Sequence, residues 1–285
     1  MDKLSVILLY FKEDIEILLN CLDAISKSVG KINYEIILIN NNANINLDNL
    51  QLQKKYPIKI FLNSYNRGVA KSRNQAVKLS EGDFFLFLDV DMIAKNLAIE
   101  KLFNYLKNNP SVGAVGGKIL LPDKTLQISF GNLPNGLFFL YELFLIPKKI
   151  TPIYEPKTVE FLAGGCLLVS RSAWKLVGEL DENFYLYGWE DADWCKRAKE
   201  KKVKLVYFPQ AEFIHLLHKS SLNLRAVEFY LNGIYYFKKH FKRLCAFFAL
   251  IFIFLFSIFR LFILFIKGKK DKKNLILRLI KSLLK

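Results

Sequence analysis

Apolar and polar positions divide the first two-thirds of the chain into short blocks of two kinds. "LSVILLY" at 4–10 is a continuous apolar run of strand length, and "YEIILIN" (34–40), "IKIFLN" (58–63) and "FFLFLD" (84–89) repeat it. Runs that are apolar throughout predict strands buried on both faces. Between them, "DIEILLNCLDAISKSV" (14–29), "VAKSRNQAVKLS" (69–80) and "AIEKLFNYLKNN" (98–109) place apolar residues at helical spacing, and "VGAVGGKILL" (112–121) is strand-like again. The alternation predicts an α/β fold, a mainly parallel sheet with helices on both faces. From 122 to 157 the pattern is interrupted by Pro122, Pro134, Pro147, Pro152 and Pro156, as in a loop-rich flap. Order returns at 159–178 and at 188–209, where an amphipathic helix precedes a strand.

The last region follows neither rhythm. Residues 244–266, "LCAFFALIFIFLFSIFRLFILFI", are 23 positions with one charge, Arg260, which reaches the length of a membrane span. Basic stretches flank it on both sides: "KKHFKR" at 238–243, and 267–285 with eight Lys or Arg against one Asp. A basic bias on one side marks a simple span, so an in-plane apolar segment and a buried helical hairpin compete with it. In the tail, Leu275, Ile276, Leu279, Ile280, Leu283 and Leu284 share one helical stripe, as in a helix lying on anionic lipid. The expected division is a domain at 1–221, a basic connecting helix at 222–243, a hydrophobic membrane-associated segment at 244–266 and a basic amphipathic tail at 267–285. Much of the net charge of +16 therefore surrounds the apolar segment. The four cysteines lack CxxC spacing, which argues against a disulfide scaffold or structural zinc and for a reducing setting. The first residues read as a strand rather than a signal peptide. The expected location is the cytoplasmic face of the cell membrane.

Candidate chemistry begins where the fourth strand ends. Asp89 and Asp91 are separated only by Val90, and two carboxylates that close repel unless a cation or a proton intervenes. In a sheet of this class ligands bind beyond the carboxyl ends of the strands. An Asp-x-Asp there suits Mg²⁺ or Mn²⁺ that also contacts phosphate oxygens, although a turn capping the next helix would use the same residues. A dehalogenase-type phosphatase would want Thr or Val where Ile93 stands, and an earlier place in the chain. "GAVGGK" (113–118) is too short for a phosphate-binding loop, and GxGxxG is absent.

Three further groups qualify. "YGWEDADW" (187–194) opens a helix with Glu190, Asp191 and Asp193, which complement its dipole or supply a general base, while Trp189 could pack against a sugar face. His215 ends a strand-like run near His218, Lys219 and Ser220, a set able to meet a metal and a diphosphate; a core histidine is the plainer reading. "NRGVAKSRNQA" (66–76) turns at Gly68 and aims Arg73 and Asn74 at the sheet edge, where an arginine offers bidentate contacts to a diphosphate.

Taken in order, Asp-x-Asp, "GWED" and the later His resemble the family 2 glycosyltransferases, inverting enzymes of the GT-A fold, and among them rhamnosyltransferase-type bacterial members. The resemblance covers roughly residues 4–221 and is most specific from "FLAGGCLLVS" through "GELDENFYLYGWEDADW" to "FIH". It implies that Asp89, Asp91 and His215 hold Mn²⁺ or Mg²⁺ on a nucleoside-diphosphate sugar, and that Asp191 is the catalytic base, with Glu190 the alternative. Arg73 and Asp83 would line the nucleotide pocket, and Gly164, Gly165 and Trp189 the sugar and acceptor side. Asn40 stands where many members carry an Asp that meets the nucleotide base, so it joins the donor-binding set and the base is left open. No Gln-x-x-Arg-Trp motif is present, which implies one sugar added per encounter. The acceptor would be a lipid-linked or cell-envelope glycan at a membrane surface. A noncatalytic membrane-surface protein binding glycan or lipid is the alternative. Nucleic acid is not expected as a partner, because basic and aromatic residues do not interleave on a sheet face.

Overall fold

The computed structural model of the chain describes residues 2–135, 152–217 and 222–241, with scattered positions between 247 and 280. The chain divides into two compact units. The larger comprises Met1–Leu133, Ile150–Glu182 and Glu190–Ser220; the smaller comprises Pro134–Lys149, Asn183–Trp189 and Ser221–Lys285.

In the larger unit the strands are β1 (Lys3–Tyr10), β2 (Asn33–Asn40), β3 (Ile58–Leu62), β4 (Phe84–Asp89), β5 (Met92–Ala94), β6 (Val112–Leu120), β7 (Phe130–Gly131), β8 (Lys157–Val159), β9 (Phe161–Leu162), β10 (Cys166–Ser170) and β11 (Lys204–His215). Its helices are α1 (Ile15–Ser28), α2 (Val69–Leu79), α3 (Ala98–Asn108), α4 (Arg171–Val177) and α5 (Glu190–Glu200). The main sheet runs β3-β2-β1-β4-β10-β6-β11-β5, with β8 also on β11; β7 and β9 form a separate pair.

The first four strands are parallel, as their apolar runs predict, and β6 is parallel to β11. However, β10 runs against both β4 and β6, and β5 and β8 run against β11. The sheet is therefore mixed rather than mainly parallel. A five-residue apolar strand such as "CLLVS" reads the same in either direction, so its polarity is not written in its composition. The three-residue β5 is too short to announce itself.

Side chains alternate across each strand. Leu4, Val6 and Leu8 of β1 face Leu18, Leu22 and Ile25 of α1, in a cluster that also holds Leu102 and Leu106 of α3. Ile7, with Phe85 and Phe87 of β4, joins the opposite cluster with Val77 of α2, Trp174 of α4 and Trp194 of α5. Both faces are thereby covered, which leaves the strand ends as the place where a sheet of this class takes a ligand. Cys21, Cys166 and Cys195 are buried free thiols inside these clusters.

In the smaller unit, α6 (Leu222–His240) anchors the segment Asn183–Trp189. The Trp189 ring lies 5.4 Å from Phe229 and 5.2 Å from Tyr236 between centroids. The Asn232 amide donates to the carbonyls of Tyr185, Tyr187 and Gly188 at 3.0, 2.9 and 3.2 Å. These contacts hold a segment whose Leu186, Gly188 and Trp189 have φ of +57°, +90° and +76°. Left-handed backbone at a Leu and a Trp is costly and needs such ties. Most of the expected apolar segment 244–266 and of the tail 267–285 lies outside the described residues, as do His218, Lys219 and Ser220. Among the described residues, no helix is long and apolar enough to cross a membrane.

Candidate active site

The site grows from the end of β4. Its last residue, Asp89, and the following Asp91 flank a turn before β5, and β5 pairs antiparallel with the end of β11. That pairing sets His215 opposite Met92, and the Leu216 N–H donates to the Asp91 carbonyl at 2.9 Å. His215 Nε2 consequently stands 3.3 Å from Asp91 Oδ2. One ligand atom from each of Asp89, Asp91 and His215 lies within 4.8 Å of the others. Two carboxylate oxygens and an imidazole nitrogen make a donor set that suits a hard or borderline divalent ion, so these residues could form a metal site. A two-strand pairing thus brings together residues that lie 124 positions apart in the sequence.

His215 has a second partner that no sequence motif signals. Its Nδ1 is 2.8 Å from Gln127 Oε1. Gln127 sits in "TLQIS", an unremarkable stretch of the loop after β6.

Behind the carboxylates lies Arg73, on the sheet-facing side of α2 and 5% exposed. Its Nη2 donates to Asp89 Oδ1 at 3.1 Å and to the Gly164 carbonyl at 2.9 Å. Its Nη1 is 3.6 Å from Glu190 Oε1, and the guanidinium carbon stacks 5.5 Å from the centre of the Phe87 ring. Expected as a fork open to a diphosphate, Arg73 instead bridges two acidic groups. Gly164 is the residue that allows this: a Cβ there would lie 2.4 Å from Arg73 Nη1. At Gly165 a Cβ would meet Asp89 Oδ2 at 2.8 Å.

The acids of "GWEDADW" divide their tasks. Asp193 is buried and held by Arg197 Nε at 2.9 Å, a helical pair that knits α5 to the end of α4 through the Val177 carbonyl. Glu190 is buried against Arg73, and its Oε2 has no hydrogen-bond partner among the described residues. Asp191 accepts from the N–H of Gly164 and of Ala192 at 2.9 and 2.7 Å and stays half-buried. Burial, then the neighbouring Asp191, push the Glu190 carboxyl up to about 7 against the pull of Arg73. Burial raises Asp191 too, while the two N–H donors hold it back. A pair of acids with raised pKa next to a candidate metal site has the character of an acid–base centre.

Two expected residues belong elsewhere. Asp83 precedes β4, at the end opposite Asp89, where its carboxylate accepts the Lys3 N–H at 3.1 Å. Strand geometry separates those two aspartates by roughly 20 Å, which removes Asp83 from the pocket. Trp189 is only 4% exposed and packs against α6 within the smaller unit, so its ring offers no face to a sugar. Asn40 ends β2 at the sheet edge where β4 ends in Asp89, and its amide closes its own turn, donating to the Ile45 carbonyl at 2.7 Å and accepting the Asn42 N–H at 2.9 Å. Beside it a buried amide cluster, unforeseen in sequence, joins Asn41 to Ser72 (2.9 Å), Asn63 to Asn41 (2.9 Å) and Asn63 to Gln75 (3.1 Å). A hollow of about 770 Å³ between α1 and β5, lined by Asn20, Asp23, Lys27 and Asn96, carries none of the acidic cluster.

Comparison with known proteins gives this arrangement its context. Residues 5–177 match the glycosyl transferase family 2 domain, and 149–219 match a domain described as the N-terminal domain of galactosyltransferase. The chain is similar to an N-acetylglucosaminyl-diphospho-decaprenol L-rhamnosyltransferase of Mycobacterium tuberculosis, 31% identical over 134 residues that cover 43% of each chain. It is similar to a poly(ribitol-phosphate) β-N-acetylglucosaminyltransferase of Staphylococcus aureus, 31% identical over 121 residues, 41% of this chain and 36% of that one. The match spans less than half the length of these two curated relatives. Among solved structures, GalNAc-T7 with UDP, GalNAc and Mn²⁺ superposes at a TM-score of 0.66 with 15% identity, over 83% of this chain and 48% of that one. The mannosyltransferase PcManGT of Pyrobaculum calidifontis, with GDP-mannose and Mn²⁺, gives 0.55 with 14% identity, over 83% and 63%. The fold is GT-A-like, a mixed sheet with helices, and on the family match across most of its sheet the chain belongs to glycosyl transferase family 2.

Proposed function

We propose that this chain is an inverting glycosyltransferase that moves a sugar from a nucleoside-diphosphate donor to a hydroxyl of a lipid-linked or envelope glycan acceptor, one sugar per encounter. The observation that carries the reading is the link between two chemistries: Arg73 touches Asp89 of the Asp89–Asp91–His215 cluster on one side and Glu190 of the raised-pKa acids on the other. The similar solved structures, which contain Mn²⁺ together with UDP or GDP-mannose, support the donor class, and the mycobacterial relative's name supports a polyprenyl-linked acceptor.

In this reading Asp89, Asp91 and His215 hold Mn²⁺ or Mg²⁺, which when bound offsets the charge of the departing nucleoside diphosphate. Asp191, oriented by the Gly164 and Ala192 N–H groups, takes the proton from the acceptor hydroxyl as it attacks the anomeric carbon. Attack from the face opposite the leaving group inverts that carbon. Glu190, pinned by Arg73, is the alternative base. Gly164 and Gly165 keep the Arg73–Asp89 contact close, and with it the donor side of the cleft.

The chain works at the cytoplasmic face of the membrane in this reading. The described positions Phe247, Phe248, Phe252, Leu255, Ile258 and Phe259 are exposed apolar residues, and basic sequence lies on both sides of them.

The test is a thermal-shift screen of nucleoside-diphosphate sugars with and without Mn²⁺. A matching donor should stabilise the chain only with the ion, and Asp91→Ala should remove that stabilisation while leaving the fold intact. Equal stabilisation of Asp91→Ala and parent would exclude the metal role.

A further inference from the structure

We infer that Gln127 is a positioning residue that sets the tautomer of His215 and thereby makes Nε2 the nitrogen offered to a divalent ion. The inference rests on the metal reading above.

An amide oxygen has no proton to give. A contact of 2.8 Å between Gln127 Oε1 and His215 Nδ1 therefore requires the hydrogen on Nδ1. A neutral imidazole carries one ring proton, so Nε2 is left with its lone pair, facing Asp91 Oδ2 at 3.3 Å. The two acceptors compete for that proton. Asp91 alone would draw it to Nε2, the wrong place for ligation, since the proton would occupy the lone pair a cation needs. Gln127 draws it to the far side of the ring.

The competition is decided by a rigid scaffold. The last parallel pairing of β11 with β6 joins Ile214 to Leu120, one residue before His215. Immediately after Leu120 the chain folds back in a tight turn, the Leu121 N–H bonded to the Thr125 carbonyl at 2.8 Å. The Asp123 carboxylate ties that turn, accepting from the Thr125 N–H at 2.9 Å and its hydroxyl at 2.6 Å. Leu126 then bridges Leu120, and the Gln127 N–H bonds to the Ile119 carbonyl at 2.9 Å. Gln127 and His215 are thus fixed to neighbouring strands at the same level, while β5 holds the other edge of His215 through Met92. Groups that orient a metal-binding histidine through its second nitrogen typically change metal affinity by about 10–100-fold when lost.

Three variants separate this role from packing. Gln127→Leu removes the acceptor at similar size; Gln127→Glu keeps an acceptor; His215→Ala removes the ring. Nitrogen-resolved NMR of the metal-free full chain, with the His215 signals identified by their absence from His215→Ala, should show the Nδ1–H form in the parent and in Gln127→Glu. In Gln127→Leu the Nε2–H form should gain. Mn²⁺ titration followed by electron paramagnetic resonance should show affinity lower by about 10–100-fold in Gln127→Leu and restored in Gln127→Glu. On the His215→Ala background, Gln127→Leu should change nothing further. An unchanged tautomer, equal Mn²⁺ affinity in parent and Gln127→Leu, or an equal loss on both backgrounds overturns the inference alone. A parent chain that takes up no Mn²⁺ overturns the metal reading and this inference together.

Discussion

At the scale of single residues, Arg73 organises the site. A guanidinium is never discharged under ordinary conditions, so burying one requires acceptors on several sides. Asp89, Glu190 and the Gly164 carbonyl supply them, and the Phe87 ring covers the remaining face. The result is that Glu190 is buried yet only partly compensated, while Asp191 is only partly buried and so can meet a reaction partner. The Gly164 and Ala192 N–H groups bond to different Asp191 oxygens, so Asp191→Asn keeps one of the two bonds and cannot accept a proton. Its kcat should fall by about 10²–10⁴-fold with little change in donor affinity, read from steady-state kinetics and donor titration. Near-parental turnover in that variant would remove Asp191 from the role of base. Glu190 makes a prediction about stability. Its pKa rises from 4.5 to about 7 on folding, so the folded chain binds more protons than the unfolded chain between those values. Stability should therefore decline as pH rises from about 4.5 to about 7, and Glu190→Gln should flatten this slope. Urea midpoints at pH 5 and pH 7.5 measure it; a slope of the same size in Glu190→Gln would assign it to other groups.

At the scale of elements, strand ends do the positioning. The β5–β11 pairing and the turn after β6 bring Asp91, His215 and Gln127 to one level, and β10, wedged between β4 and β6, sets Gly165 against Asp89. In the smaller unit the corresponding task falls to α6, whose Asn232 and aromatic side chains hold the segment ending at Trp189. Asn232→Ala would leave three carbonyls without that donor. Deuterium exchange over residues 183–189 should then accelerate by about tenfold or more, consistent with a loss of about 1–3 kcal/mol for such contacts. Unchanged exchange would show that the Trp189 packing suffices by itself.

At the scale of the whole molecule, the charge distribution matters more than any single residue. A net charge of +16, concentrated around an apolar stretch, favours an anionic surface. The full chain should co-sediment with vesicles containing phosphatidylserine or phosphatidylglycerol, and shortening the chain after residue 243 should abolish this. Electrostatic attraction should weaken as salt rises to 1 M, leaving whatever binding the apolar positions supply. Equal sedimentation with neutral vesicles, or of the shortened chain, would refute the proposed surface.

The same scales divide what could be read from residues and what could not. Apolar runs and helical spacing located β1 through β4 and α1 through α3, because burial on both faces forces near-continuous hydrophobicity on a central strand. Asp89, Asp91 and His215 were legible as a candidate metal set because two carboxylates one residue apart at a strand end repel unless a cation or a proton intervenes, and an imidazole ends a later strand. Strand direction was not legible: β10 is as apolar as its neighbours, and composition carries no arrow. Nor was exposure. Trp189 beside two acids suggests a sugar platform until α6 covers it, and Asp83 near Asp89 in sequence lies at the opposite end of a strand. Gln127 illustrates the limit most sharply, since an amide has no distinctive chemistry until a fold sets it 2.8 Å from a ring nitrogen. Residue types carry the chemical inventory and the burial pattern, which are local properties of side chains. Which atoms then meet depends on pairing register and chain direction between distant segments, and those are settled by packing the sheet as a whole.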